Sequence, residues 1–285
     1  MIYASDLDQT LIYASDLDQT LIYSKRSLGV PLESPGLLPA EQIDGATSAF
    51  ISAQALQWLK TLPADVMFMP VTTRTMEQYR RITVFQTELV PAYAVTSNGG
   101  NIIVGGEVDR EWNRRIHEQV RRDGAHAEEA RQVFGQVLHE DWVVNERFCD
   151  ELFYAFVIER DRMPLEQVLE KARMMHEMGW EVSIQGRKVY LVPAAVNKQA
   201  AVAHIRNLTN GGAVVASGDS LLDRCLLDYA DYAIAPRHGE LYREQLREQL
   251  EVNYRFTEVS GVYAANEIME YVYEVHGSMT ASRTS

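Results

Sequence analysis

The chain has 285 residues, about 1.9 times a ~150-residue domain, which excludes a peptide or minimal module and leaves one large domain or a core with an inserted second domain. Hydrophobic residues make up 46% and charged residues 24%, the balance of an ordinary soluble globular protein that can bury a sizeable core. Twenty-seven Lys and Arg against 40 Asp and Glu leave a net charge of −13, a field that repels polyanions and makes nucleic acid and anionic membrane poor partners.

No apolar run approaches the ~20 residues of a membrane span, and the N-terminus lacks a basic segment followed by an apolar one. Cys149 and Cys225 lie far apart without CxxC or Cys/His spacing, so neither a disulfide framework nor a structural zinc site is indicated, and a reducing, cytoplasmic setting is expected.

In chain order, the first feature is a tandem copy: Ile2 to Leu11 reads IYASDLDQTL, and Ile12 to Leu21 repeats it. Two copies of ten residues are too few and too short for a solenoid, so this is a local duplication, and only one copy can fill one place in a sheet. Each reads as a short strand ending in Asp-Leu-Asp-Gln-Thr. The second copy exits through Tyr23 to Arg26 and a Gly/Pro-bearing loop to Pro39, toward a helix, so it is the copy expected to dock, with residues 1–11 as a terminal extension that carries Asp6 and Asp8 into solvent.

From Ser52, a candidate N-cap, Ala55, Leu56 and Leu59 recur at helical spacing up to Pro63. Val66 to Val71 is a continuous apolar run of the kind found in a buried parallel strand, ending in Thr72 and Thr73. A helix then starts at Met76, and Tyr93 to Val95 forms a third apolar run before Asn98, Gly99 and Gly100. Strands alternating with helices predict a doubly wound parallel α/β sheet with its ligand site outside the carboxyl ends of the strands.

After Gly100 the texture changes. Trp112, Ile116 and Val120 form a helical stripe in an Arg-rich segment, 110–122, which reads as a solvated helix face. A second helical segment, 127–138, is followed by strand-like runs at Trp142 to Val144 and Leu152 to Ile158. A helix ending at Gly179 and two runs around Gly186 complete an α+β insert of about ninety residues. The expected division is a core of residues 1–101 and 194–285 with an inserted domain at 102–193. Beyond the insert, a helix from Lys198 to Leu208, the run Ala213 to Ala216, Gly218-Asp219-Ser220, a short strand at Ala233 to Ala235 and a helix from Leu241 to Leu250 restore the α/β rhythm. Gly277 to Ser285 reads as a frayed polar tail. No GxGxxG, GxxxxGK[ST] or HExxH pattern occurs, which removes dinucleotide, P-loop and zincin readings.

Four polar sites therefore follow strands or open a helix: Asp16-Leu17-Asp18-Gln19-Thr20, Thr72, Lys198, and Gly218-Asp219-Ser220 with Asp223. In this order they resemble the motifs of the haloacid-dehalogenase superfamily of aspartate-nucleophile phosphatases, over residues 12 to about 270. The large insert between Asn98-Gly99 and Lys198 is similar to that of the branch with an α/β cap, which includes sucrose-phosphatase-like and Cof-type sugar phosphatases. Arg74 stands where many relatives have the arginine of Thr-Gly-Arg, but Thr73 replaces the glycine, which restricts backbone approach there.

The resemblance implies a Mg²⁺-dependent phosphomonoester hydrolase acting on a small phosphorylated metabolite, a sugar phosphate being one such substrate. It implies Asp16 as nucleophile, and Asp18 as proton donor and later base, the two side chains sharing one side of an extended strand end. Thr72 and Lys198 would hold phosphate oxygens. Asp16, the Asp18 carbonyl and Asp219 would bind Mg²⁺, with Asp223 orienting its waters or Lys198. Substrate choice would rest on insert residues such as Arg147, Arg187 and Lys188. A phosphomutase on the same chemistry and a non-catalytic phosphate-binding regulator remain open alternatives, and the oligomeric state is unreadable.

Overall fold

The computed structural model describes residues 11–249 and 251–284. In chain order the elements are β1 (Leu11–Ser15), β2 (Tyr23–Ser24), β3 (Leu37–Ile43), β4 (Ala46–Ser52), α1 (Ala53–Lys60), β5 (Val66–Pro70), α2 (Met76–Arg80), β6 (Tyr93–Thr96), β7 (Asn101–Val104) and β8 (Glu107–Val108). There follow α3 (Arg110–Asp123), α4 (Ala127–Phe134), β9 (Val143–Cys149), β10 (Phe153–Ile158), α5 (Leu165–Glu177), β11 (Trp180–Gln185) and β12 (Lys188–Pro193). The chain closes with α6 (Lys198–Leu208), β13 (Ala213–Ser217), α7 (Arg224–Tyr229), β14 (Tyr232–Ala235), α8 (Glu240–Glu248), β15 (Arg255–Phe256) and α9 (Ala264–Thr284).

The central sheet runs β15-β14-β13-β1-β5, every pairing in it parallel. Because β1 is covered on both faces, all five of its residues are apolar or small and all are buried. Its side chains alternate: Leu11 and Tyr13 enter the core that also holds Leu56, Ile268 and Met269, whereas Ile12 and Ala14 enter the opposite core with Trp112, Val202 and Ile205. The chain thus occupies the centre of the sheet with the second copy of its duplicated decapeptide, and the expected extension of residues 1–11 is corrected at its end, because Leu11, the last residue of the first copy, is buried and pairs with Ala213 and Val66 in β1. Asp6 and Asp8 lie outside the described residues.

The path from β1 enters β5 on one side and β13 on the other, so a crevice opens at the carboxyl ends of these three strands. The four-stranded antiparallel sheet β11-β12-β10-β9 lies between the two halves of this core in sequence. One face of it packs Phe156, Leu191 and Trp180 with Phe134 and Val168 of its own helices. It is tied to the core at the β9–β10 turn, where the Asp150 carboxylate accepts from Asn101 Nδ2 (3.0 Å), the Met76 N–H (3.4 Å) and the Ser97 hydroxyl.

Two further expectations are corrected. The stretch up to Ser52 is not a loop leading into a helix but a three-stranded sheet, β2-β4-β3, with β3 at its edge. Pro39 is tolerated there because an edge strand leaves backbone N–H groups unused, and the register shifts between Pro39 and Glu41. The C-terminal segment is not frayed; it is the second half of the 21-residue α9. Val275 is buried in the core, Met279 packs against it and His276 Nε2 lies 3.0 Å from Asp65 Oδ1, so tertiary contacts hold a polar, Gly-bearing sequence helical.

The turn after β6 fixes where α6 begins. Asn98 donates from Nδ2 to the Val196 carbonyl (2.9 Å), and Gly99, at φ 103°, lies so close that a Cβ there would sit 2.1 Å from the Asn197 carbonyl oxygen. Replacing Gly99 with Ala therefore combines a disfavoured backbone with overpacking, about 2–4 kcal/mol together. A melting curve of Gly99→Ala should show a drop of roughly 5 °C or more; an unchanged Tm would mean that the α6 start does not depend on this approach.

Candidate active site

β1 delivers Asp16 to the crevice. Its N–H donates to the Ser217 carbonyl on β13 (2.8 Å), while Val71 N–H donates to the Ser15 carbonyl (2.7 Å) and sets Thr72 beside it at the end of β5. After Asp16 the chain turns sharply: the amides of Thr20, Leu21 and Ile22 all donate to the Leu17 carbonyl, and Gln19 takes a left-handed φ of 63°. Thr72 is fully buried, and its Oγ1 accepts the Arg74 N–H (3.2 Å).

α6 supplies the cation. Asn197 caps the helix by accepting the Ala200 N–H (2.9 Å), and Lys198, the first helical residue, turns inward to only 1% exposure. Its ammonium donates to Asp16 Oδ1 (2.6 Å) and to Asp223 Oδ1. Asp223 is in turn held by the Ser220 N–H (2.9 Å) and hydroxyl (2.7 Å). Asp219 completes the group on the loop after β13, accepting from Gln19 Nε2 (3.2 Å).

Carboxylate oxygens of Asp16, Asp219 and Asp223 lie within 4.8 Å of one another, all three residues buried. One ammonium cannot balance three carboxylates, and the protein shows the strain of it. Burial, reinforced by the neighbouring carboxylates Asp223 and Asp18, pushes the Asp16 carboxyl well above the usual carboxylate range even against Lys198. Burial, with Asp16, Asp223 and Glu240 nearby, does the same to Asp219. Burial disfavours the charged Lys198, but Asp16 and Asp223 outweigh it and raise its affinity for the proton. An all-oxygen donor set with surplus negative charge fits a hard divalent cation.

Asp18 stands apart from this carboxylate group. Both of its oxygens are engaged by Arg74, Nε to Oδ2 at 2.7 Å and Nη2 to Oδ1 at 2.8 Å, and Arg74 is braced from behind by Glu41 (2.6 Å) on β3. Burial would raise the Asp18 pKa, but the Arg74 guanidinium prevails and brings it down to about 2. Glu41 was invisible in the sequence because its hairpin reads as a loop. Arg74 was visible only as a motif remnant. Thr73 does not take a positive φ, so the missing glycine costs the turn nothing.

A cavity of about 480 Å³ opens above Asp16, Asp18 and Asp219, with Arg187 and Lys188 of the β11–β12 hairpin in its opposite wall and Arg26 at its side. Arg147 lines a smaller adjoining cavity, which also borders Lys188. The structure thus brings Asp16, Thr72, Lys198, Asp219 and Asp223 to one crevice, sets Asp18 on its wall, and puts Arg147 one cavity away.

Residues 1–264 match the family model of sucrose-6F-phosphate phosphohydrolase. The chain belongs to this family. Its fold is that of the sucrose-phosphatase from Synechocystis sp. PCC6803, solved with sucrose and phosphate, at a TM-score of 0.65 and 16% identity over 93% of this chain and 97% of that one. A HAD subclass IIB sugar phosphatase gives 0.60 at 14% identity over 95% and 100% of the two chains. The C-terminal domain of trehalose-6-phosphate phosphatase from C. albicans gives 0.55 at 12%, over 93% and 92%. No curated protein matches the chain in sequence. The protein is a phosphatase of the haloacid-dehalogenase superfamily, with a Rossmann-like core and a cap. No helix among the described residues is long and apolar enough to cross a membrane.

The Asp16–Thr20 turn has an outer support that the sequence did not disclose. The Gly261 N–H donates to His238 Nδ1 (3.1 Å), so the ring proton is on Nε2 and donates to the Gln19 carbonyl (2.9 Å). Burial lowers the His238 pKa, so the unfolded chain takes up the second, charging proton first and stability falls as pH drops below about 6.5. Between pH 7 and 5.5 the wild type should lose more Tm than His238→Gln; parallel Tm profiles would remove His238 from the acid sensitivity.

Proposed function

We propose that the protein is a Mg²⁺-dependent phosphomonoesterase that hydrolyses a small sugar phosphate through an aspartyl-phosphate on Asp16. The observation that carries this reading is the buried Lys198 ammonium shared by Asp16 and Asp223, with Asp219 alongside, under a cavity that accepts a small molecule. In the family whose model matches, the named reaction removes phosphate from a sugar, and the Synechocystis neighbour was solved with sucrose and phosphate.

In this mechanism an Asp16 oxygen forms a bond to phosphorus as the bond to the sugar oxygen breaks. Lys198 and the Thr72 hydroxyl hold the non-bridging phosphate oxygens in place. Asp18 hands a proton to the departing sugar oxygen. The arriving phosphate is a like charge beside Asp18, which raises its hold on that proton against the pull of Arg74. Asp18 then takes a proton from the water that opens the aspartyl-phosphate. Asp16, Asp219 and the Asp18 carbonyl would hold Mg²⁺, with Asp223 keeping Lys198 oriented; the ion supplies positive charge that keeps Asp16 ionised and offsets that of the phosphate. Unit charges ~4 Å apart repel by about 4 kcal/mol at an effective dielectric of ~20, the scale of what the ion relieves.

The division that goes with this reading is a catalytic core of residues 1–101 and 194–285 under a cap at 102–193, with Arg187 and Lys188 over the phosphate. β7 pairs with β6, β8 pairs with β7, and this small antiparallel sheet forms the connection between the two parts.

Phosphate release from a panel of sugar phosphates should require Mg²⁺ and stop in EDTA. Asp219→Asn should cut kcat/KM at fixed Mg²⁺ by about 10²-fold or more while the far-UV spectrum is kept. Full turnover in EDTA, or an active Asp219→Asn enzyme with unchanged Mg²⁺ dependence, would contradict the metal assignment.

A further inference from the structure

Beside the crevice, and opening into it, lies a cavity of about 120 Å³. This is room for several waters, or for one carboxylate or phosphate group. Its floor is built by strand register. On the β10 strand, Ala155 pairs with Arg147 of β9 and with Tyr190 of β12, and Val157 pairs with Asn145 and with Lys188. Two small side chains in the middle strand, flanked by long polar ones on either side, leave a depression with Arg147 and Lys188 diagonally across it. Gln78, Thr73 and Arg74 close the core side.

The chemistry of the walls is one-sided. Among the described residues no Asp or Glu lines this cavity, although the protein carries a net charge of −13. The acid of β9, Glu146, alternates to the opposite face, where Arg131 of α4 holds it (2.6 Å). Arg74 is already engaged by Asp18 and Glu41. Arg147 and Lys188 make no ion pair with any described carboxylate, and Lys188 Nζ rests 5.8 Å from the centre of the Tyr190 ring. Arg147 has no carboxylate partner among the described residues, Lys188 interacts with Tyr190 and is attracted by Asp18, and with amides, a hydroxyl and no acid in the walls these cations form an anion site next to a reaction whose phosphate-binding cation is Lys198.

We infer that this cavity binds a second anionic group of the substrate, so that the enzyme acts on a sugar phosphate carrying a carboxylate or another phosphate besides the one removed. The inference rests on the phosphatase reading above and deepens it. Arg147 is the residue that sets this specificity, with Lys188 between the two cavities: Arg147 holds the remote anion and takes no part in bond breaking.

The test compares matched pairs with Mg²⁺ present: 6-phosphogluconate against glucose 6-phosphate for a carboxylate, and fructose 1,6-bisphosphate against fructose 6-phosphate for a second phosphate, with p-nitrophenyl phosphate as a substrate that has no second anion. At least one substrate with the second anionic group should exceed its match without it in kcat/KM by about 10-fold, and the pair that shows it identifies the group bound. Arg147→Ala should abolish that preference through a rise in KM of about 10-fold, with kcat on p-nitrophenyl phosphate kept within about threefold. Arg147→Lys should restore part of the preference. Equal kcat/KM within both pairs, or variants that weaken substrates with and without the second anion alike, would overturn the second-anion site and leave the phosphatase standing. No phosphate released from any of the five compounds would instead remove the phosphatase reading, and the inference with it.

Discussion

One ammonium buried among carboxylates governs this protein. Lys198 is almost wholly removed from water and survives there because Asp16 and Asp223 share its charge. Those three residues come from β1, the first turn of α6 and the segment after β13, so the charge balance holds only if the central sheet, the helix start and the acidic loop are all in register. The local structure serves that requirement. Gly99 lets the β6 turn press on the backbone just ahead of Lys198, Asn197 caps the helix, and Ser220 holds Asp223 through two hydrogen bonds. Asp219 is the remainder: its carboxylate has no cation of its own among the described residues, and its place in the cluster is what makes the site suited to a divalent ion.

A second balance is struck on the wall of the crevice. Asp18 is neutralised by Arg74, and Arg74 is anchored by Glu41, a 5% exposed residue on the small β2-β4-β3 sheet that also receives the Ser48 hydroxyl (2.9 Å). The two acids of one Asp-x-Asp segment are thereby given opposite environments. Asp16 lies where burial and like charge favour the proton, and Asp18 where a guanidinium disfavours it. Sequence spacing put the two on one strand end; the surrounding elements made them different.

Much of the core was legible. The runs Val66 to Val71 and Ala213 to Ala216 read as buried strands because a parallel sheet covered on both faces leaves no polar alternation, and both lie next to β1. The positions of Asp16, Thr72, Lys198 and Asp219 followed from each ending a strand or opening a helix, since the carboxyl ends of parallel strands converge on one crevice. The β3–β4 hairpin was not legible: Gly29, Pro31, Gly36 and Pro39 punctuate the approach to it, and an edge strand can accept the proline that argues against a central one. Without that hairpin Glu41 had no address, and the hold of Arg74 on Asp18 could not be foreseen. The helical tail was hidden for a different reason, since Val275, Met279 and the His276–Asp65 contact hold it through tertiary packing that composition, read alone as fraying, does not show.

The central claim is that the second copy of the duplicated decapeptide carries the nucleophile, because it is Leu11–Ser15 that pairs with β5 and β13 and delivers Asp16 to Lys198. The most direct measurement is to quench the enzyme during turnover, reduce the acyl-phosphate with borohydride, and map the modified aspartate by mass spectrometry in the wild type, Asp6→Asn and Asp16→Asn. The account predicts modification at Asp16 in the wild type and in Asp6→Asn, and none in Asp16→Asn. Modification at Asp6, retained in Asp16→Asn, would contradict it.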